Sequence, residues 1–502
     1  MGGLIRSVMA FATAIALAFA IGGPSTAQGP DYSWPPGGKD YWSGEGNMGF
    51  IMMNKVVPYE SYISAQVNGV TPPNCTTLDD PACSEPASRL GWRIWRTAPV
   101  CSEALPWEEC IADLSFLRPD NELVVAKKVA YADRWTFPAD PDRGLPTGAS
   151  MSLWTDPLSS DPSQGYAVTL GGAMTKPAGS VLTRDKPFRF DFFGAQVFRY
   201  RTEAVADHDL TDCVWWDATR CAVQIPFDDE VQTSLSFLMN KDITGWLSGR
   251  LYEPTVDIEP ARGNLNQVTV TARPVDVAMA AATVPVSEAT PAMLDLWRRI
   301  VPTDTVIYVD SDQDGMTFEL LKAFTRPAKD TALKVIPTWS VSSIAGNLSQ
   351  CTQDDRRLIG LVTTNSTAYS SGPPTFTDGA LKYSVAAWHR VPSGQAFRGS
   401  YDLVMRSDTA RCLYGLSKAP IRAEIQVISE DGEEQVATTA VSERDGWIRL
   451  AAYNFTFSSP TITATLTPSK PTKTILCKKG AKSKKVTGFK PKCPPGWRQV
   501  RG

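Results

Sequence analysis

The sequence predicts a mainly β protein: two β-sandwich-like domains joined by a short helical segment, with a small disulfide-stapled basic tail. Three observations carry that expectation. Short alternating or β-branched runs recur along the chain, such as Trp92-Arg93-Ile94-Trp95, Tyr166 to Leu170 and Gln267 to Ala272, with Pro, Gly, Asp and Ser clusters between them. Apolar residues at helical spacing are confined to one stretch, from about Thr290 to Phe324. The segment from Pro471 to Gly502 is basic, lacks any acid and carries two cysteines.

Met1–Ala27 reads as a secretory signal. Arg6 supplies the charged n-region, Val8 to Ile21 the apolar core, and Ser25-Thr26-Ala27 the small residues before a cut ahead of Gln28. No later run approaches the roughly 20 apolar residues that span a bilayer. The expected location is extracellular or at the cell surface. Ten cysteines suit an oxidising compartment. They lie as neighbours: Cys75 and Cys83, Cys101 and Cys110, Cys213 and Cys221, Cys351 and Cys412, Cys477 and Cys493. Spacing alone leaves the connectivity open. With no CxxC and only two histidines, a zinc cluster or thioredoxin-type motif is disfavoured, and the cysteines read as structural staples.

Residues 28–285 are expected to form a large β-rich domain behind an aromatic, Gly/Pro-rich lead-in. The lead-in contains a formal GxGxxG, Gly44 to Gly49, but a loop precedes it and the strand-like Phe50 to Met53 follows, so a glycine turn is favoured over a dinucleotide site. Residues 286–332 read as helix, strand, helix. Thr290-Pro291 caps the first helix, and Thr305 to Val309 is the strand. Residues 333–467 read as an immunoglobulin-like sandwich, with hairpin turns at Asp378-Gly379, Asp431-Gly432 and Asp445-Gly446 and Cys351 and Cys412 tying distant strands. Residues 468–502 are the tail. The whole chain has 50 basic and 53 acidic residues; without the tail's ten basic residues, 40 remain, a net of −13 for the rest.

The phrases FLMNKDITGWLSGRL, DGMTFELLKAF, DLVMRSDTARCLYGLSKAPIRAEIQVISEDG and DGWIRLAAYNFTFSSPTI resemble a group of secreted actinobacterial proteins of uncharacterised activity, over roughly Val231 to Gly502. The ending ILCKKGAKSKKVTGFKPKCPPGW is similar to a tail worn by many otherwise unrelated exported proteins of such bacteria. The resemblance implies an exported, modular architecture and a surface context. It transfers no catalytic residue.

The sharpest local motif is Asp310-Ser311-Asp312-Gln313-Asp314-Gly315. Alternating carboxylates followed by glycine can wrap a hard cation. The candidate calcium ligands are Asp310, Asp312, Asp314, the Met316 carbonyl and Glu319. The competing reading is an acidic turn that caps the second helix, where negative charge is favoured. A phosphotransferase reading of the DxD lacks supporting context. His208 and His389 stand near no GxSxG or HExxH signature. Trp34, Tyr41, Trp42, Trp215 and Trp216 are candidates for stacking on sugar rings, against a core-packing alternative. Lys478, Lys479, Lys482, Lys484, Lys485, Lys490 and Lys492 are candidates for anchoring to an anionic surface.

The functional expectation is a surface-associated structural protein, or one that binds glycan or an anionic cell-envelope polymer. No nucleic-acid partner and no transmembrane segment after signal cleavage are expected. The alternative is an exported polysaccharide hydrolase with its site in the N-terminal β domain, built on two carboxyls roughly 5–10 Å apart.

Overall fold

The computed structural model describes residues 47–500, apart from 54–56, 67–72, 103–105, 209, 241–244, 301–305, 313–314, 345–350, 352–357, 416–420, 429–433, 436, 458–460, 469–472, 481 and 489–491. The expected signal, most of the lead-in with Trp34, Tyr41 and Trp42, the expected Asp431-Gly432 turn, Asp314 and Lys490 lie outside the described residues.

The chain is mainly β. Its largest sheet has fifteen strands. The main path runs Tyr62–Ala65, Trp92–Thr97, Gln164–Lys176, Arg189–Ala204, Lys334–Ile344, Gly245–Arg250, Leu358–Thr364, Gly399–Arg406, Trp447–Phe455 and Thr438–Arg444. Strands from 28–285 and from 333–467 are therefore neighbours in one sheet, joined where Trp339 pairs with Val197 and Leu247 with Ser343.

Side-chain alternation turns that sheet into two sandwiches. On one face Ile94, Val168, Leu170, Leu247, Trp339 and Leu361 meet Leu114, Phe116, Leu235, Phe237, Val268 and Val270 of a five-stranded sheet. On the other face Trp246, Val362, Leu403 and Leu450 meet Tyr383, Val385, Ile425, Val427 and Ile462 of a six-stranded sheet. Trp246 and Leu247 are adjacent in one strand and belong to different cores.

Four α-helices occur among the described residues: α1 (Pro81–Leu90), α2 (Pro291–Ile300), α3 (Met316–Phe324) and α4 (Ser407–Leu413). Helices α2 and α3 sit where their periodicity predicts, and the Thr290 hydroxyl caps α2 by accepting from the Met293 N–H at 3.2 Å. Helices α1 and α4 were not expected. The Asp80 side chain caps α1 through the Ala82 N–H at 2.9 Å, and Pro81 starts it, but the helix lacks a regular apolar stripe.

The helical connector is completed from the far end of the chain. Asn47–Met53 pairs antiparallel with Ala281–Pro285 and parallel with Val306–Asp310. Helices α2 and α3 cover this three-stranded sheet through Met293, Leu296, Trp297, Leu320 and Phe324. Gly49, the last glycine of the GxGxxG, lies inside a strand rather than before a helix, and a Cβ there would meet the Ala282 carbonyl at 2.5 Å.

All five neighbouring cysteine pairs are bridged. One detail differs from the immunoglobulin-like expectation. Cys412 lies in α4 and Cys351 in a turn, so that bridge ties a loop to a helix rather than strand to strand. Trp388 is likewise not packed against it: it sits with Phe50 and Phe324, and its indole N–H donates to the Leu321 carbonyl at 3.1 Å. The turns at Asp378-Gly379 and Asp445-Gly446 take positive φ at both positions, as two-residue hairpins demand.

Loop length ranks the bridges. Cys351–Cys412 has a sequence separation of 61, against 8 for Cys75–Cys83. In the chain-entropy model, replacing both cysteines by alanine costs about 4 kcal/mol at the first and about 2.5 kcal/mol at the second. Urea unfolding of the two double variants measures the difference; a larger loss at Cys75–Cys83 would contradict this ranking.

Candidate functional site

The chain changes sheets twice near one place. It leaves the large sheet at Arg250 and enters the five-stranded sheet at Tyr252; it leaves that sheet at Arg273 and rejoins the large one through Val275–Met279. These two corners face the ends of three strands. Together they line a cleft of about 210 Å³ with Tyr252, Pro274, Asp276, Asn365, Arg398, Ser400, Tyr453 and Asn454.

The cleft has a fixed wall. The Tyr252 and Tyr453 rings lie 4.6 Å apart, and the Arg273 guanidinium sits 4.7 Å from the Tyr252 ring. Behind them Asp402 is fully buried. One of its oxygens accepts from Arg449 at 2.6 and 2.9 Å and from the Tyr453 hydroxyl at 2.6 Å. The other accepts the Glu253 N–H at 3.2 Å. Burial raises the Asp402 carboxyl above its ordinary value, and Arg449 and the Tyr453 hydroxyl pull it back. The Tyr453 hydroxyl is pushed far up by burial and by the Asp402 charge. Glu253 and Asn454 both hold positive φ, 53° and 63°, next to the two tyrosines. Non-glycine residues in that region carry a conformational cost that surrounding contacts must offset.

The rim is different: its polar groups are not consumed. Arg398, Asp276 and Asn454 are exposed, and none makes a side-chain hydrogen bond or ion pair with the described residues. The buried Ser400 hydroxyl also lacks a partner there. Asn365 by contrast is spent, bridging the Arg398 carbonyl at 2.9 Å and the Ser400 N–H at 2.8 Å. Rings held rigidly beside polar groups with spare capacity have the chemistry to meet a ligand rich in hydroxyls. Sequence reasoning found none of these residues, because they converge from segments far apart in the chain.

The acidic loop sits at the carboxyl end of the Val306–Asp310 strand and leads into α3. Its Ser311 carbonyl accepts the Tyr369 N–H at 3.1 Å. Two of the expected calcium ligands lie within electrostatic or ion-pair reach of arginines. Asp312 attracts Arg250, which is fully buried, donates to the carbonyls of Thr364 and Ser366 at 3.1 and 2.6 Å, and lies 4.4 Å from the Tyr369 ring. Glu319 is exposed and pairs with Arg299 at 3.0 Å. Met316 opens α3. Among the described residues, no three acids, histidines or cysteines converge as a metal cluster.

The tail is a three-stranded sheet of Lys473–Lys479, Lys482–Gly488 and Arg498–Val500. Cys477 is fully buried and bridged to Cys493. Lys478, Lys479, Lys482, Lys484, Lys485 and Lys492 are exposed.

Each histidine is held by a carboxylate. His208 Nε2 lies 2.7 Å from Glu203, and His389 Nδ1 lies 2.7 Å from Asp330. No serine or cysteine hydrogen-bonds to either ring among the described residues. Trp215 is buried at right angles to Tyr200, 5.4 Å away, so it offers no ring face to a sugar. Trp216 is half-buried, with the Arg134 guanidinium 3.6 Å from its ring. No protein-family model matches the sequence, and no curated protein matches it significantly.

Beside Arg134, burial raises the Glu60 carboxyl to about 7 against the pull of Arg134 and the Trp135 N–H, and its Oε2 has no partner among the described residues. The folded chain holds this proton more tightly than the unfolded one, whose carboxyl titrates near 4.5. The contribution is therefore complete below pH 4.5 and is lost as pH rises through 7, a change of about 3 kcal/mol. Glu60→Gln removes that slope. Thermal melts of both proteins at pH 5 and pH 8 check it; parallel pH profiles would rule Glu60 out as the source.

Proposed function

We propose that this is an exported protein retained at the cell envelope, where its β-scaffold binds glycan or wall polymer at the Tyr252–Tyr453 cleft and its basic tail adds charge attraction. The observation that carries the reading is the contrast within the cleft: rings locked by the Asp402–Arg449 network, and a rim whose Arg398, Asp276, Asn454 and Ser400 have hydrogen-bonding capacity to spare. Sugars offer hydroxyls to such a rim and apolar surface to the half-buried Tyr252. Five disulfides fit an oxidising location, and no helix among the described residues is long and apolar enough to cross a membrane.

The hydrolase reading asks two carboxyls to exchange protons with substrate. At this cleft Asp402 has both oxygens committed to Arg449, Tyr453 and Glu253. That leaves Asp276 as the acid on the rim, which favours binding over cleavage here. The tail acts from a distance: lysines near an anionic surface are worth about 1 kcal/mol each at low salt. Export sets nucleic acid aside as the natural partner. For the acidic loop we favour a counter-charge role, with Asp312 opposite Arg250, over calcium binding.

A glycan array probed with wild type and Tyr252→Ala tests the cleft. A loss of about three- to tenfold in affinity is expected for the variant, the scale of one aromatic contact. Equal binding by both would remove the cleft from the reading. For the tail, cells are fractionated with full-length protein and with a chain ending at Pro468. The full chain should resist a low-salt wash and leave in high salt, and the shortened chain should leave at once. Identical release would end the anchoring idea. Calcium calorimetry is expected to show no saturable heat with wild type; a heat lost in Asp312→Ala would restore the ion site.

A further inference from the structure

We propose that the tail sheet carries a binding face for linear anionic polysaccharide on each of its two sides, so that one tail bridges two polymer chains. This rests on the tail's envelope-binding role and goes further, by assigning the cations to opposite surfaces.

The register makes the assignment. Directly paired residues share a face, and successive residues alternate. Cys477 pairs with Lys484 and Lys479 with Lys482, which places Lys479, Lys482 and Lys484 on the first face. Lys478 pairs with Ser483 and with Arg498, and Leu476 with Lys485, which places Lys478, Lys485 and Arg498 on the second. All six are exposed. The Cys493 segment crosses the first face at Cys477 and its Gly496 runs beside the Lys479 side chain, while Lys479, Lys482 and Lys484 all stay exposed.

Two cross-strand pairs join like charges, Lys479 with Lys482 and Lys478 with Arg498. Like charges directly opposite one another destabilise a sheet. From Pro471 to the end of the chain no acid is present to relieve them. The sheet's own bridge holds the arrangement together. A single polyanion laid along one face neutralises that face and leaves the other three cations unanswered. Exposed cations on both sides therefore fit two strands of polymer rather than one.

The test uses the full-length mature protein and two charge-matched triple variants: Lys479→Gln, Lys482→Gln, Lys484→Gln for the first face, and Lys478→Gln, Lys485→Gln, Arg498→Gln for the second. Anisotropy with short, labelled polygalacturonate reads binding; light scattering with long polygalacturonate reads bridging; neutral dextran is the control. Wild type is expected to bind both uronate forms and to raise scattering. Each triple variant should still bind the short chain, several-fold more weakly, and should lose the scattering. Scattering that survives in either variant, or binding abolished by one variant and untouched by the other, would overturn the two-faced assignment. Binding by wild type without scattering would do the same and leave retention standing. No binding of polygalacturonate by wild type at low salt would remove both.

Discussion

The strand Gly245–Arg250 serves both halves of the molecule, and the period-2 alternation of its side chains is what the architecture depends on. Trp246 fills one core and Leu247 the other, across the thickness of one sheet. Trp246 lies opposite Gly360, where a Cβ would come within 2.4 Å of its ring. The large ring needs the vacant position, and the vacancy leaves no freedom to shift register. A one-residue slip would exchange the two cores' contents. The strand ends in Arg250, a buried cation whose donors are met by backbone carbonyls and whose charge is met by Asp312 and the Tyr369 ring. Leaving such a charge uncompensated costs several kcal/mol.

Charge is handled in opposite ways at the two ends of the protein. In the body, buried ions come with partners: Arg96 with Glu109 at 3.0 Å, Arg199 with Asp156 at 2.9 Å, and Arg449 with Asp402. Such pairs add little net stability over apolar packing, but they fix geometry, and at Asp402 they fix the ring that forms the wall of the cleft. The tail's described cations have no ion-pair partner among the described residues and stay in solvent. One strategy builds a rigid surface, and the other builds a field.

Local chemistry was legible in the sequence wherever the answer is local. Asp378-Gly379 and Asp445-Gly446 demand positive φ whatever surrounds them, and Thr290-Pro291 starts a helix by its own hydrogen bonding. Four of the cysteine pairs, at separations of 8, 9, 8 and 16, close short loops at low entropic cost. What stayed hidden is non-local. The pairing of Arg189–Ala204 with Lys334–Ile344 joins blocks that read as separate domains, since alternation predicts a strand and not its neighbour. Helix α1 hid because its cap is informative and its body is not. The acidic loop was the instructive case. The carboxylate spacing is as a cation loop requires, and sequence carries no sign of the Arg299 that pairs with Glu319 from elsewhere in the chain. Tyr252, Arg398 and Tyr453 carry no mark in sequence that sets them apart from core or surface residues.

The pairing of Asn47–Met53 has a consequence in time. This strand is the middle of its sheet, with Ala281–Pro285 on one side and Val306–Asp310 on the other. Made from the N-terminus, it precedes both partners by the whole of the large sandwich. Until they follow, Phe50 and Met52 have no core to enter and both strand edges are unpaired, a state open to wrong pairing. Closing so long a loop also slows folding. The first described strand is thus among the last that can lock, and the covering helices α2 and α3 can close only behind it.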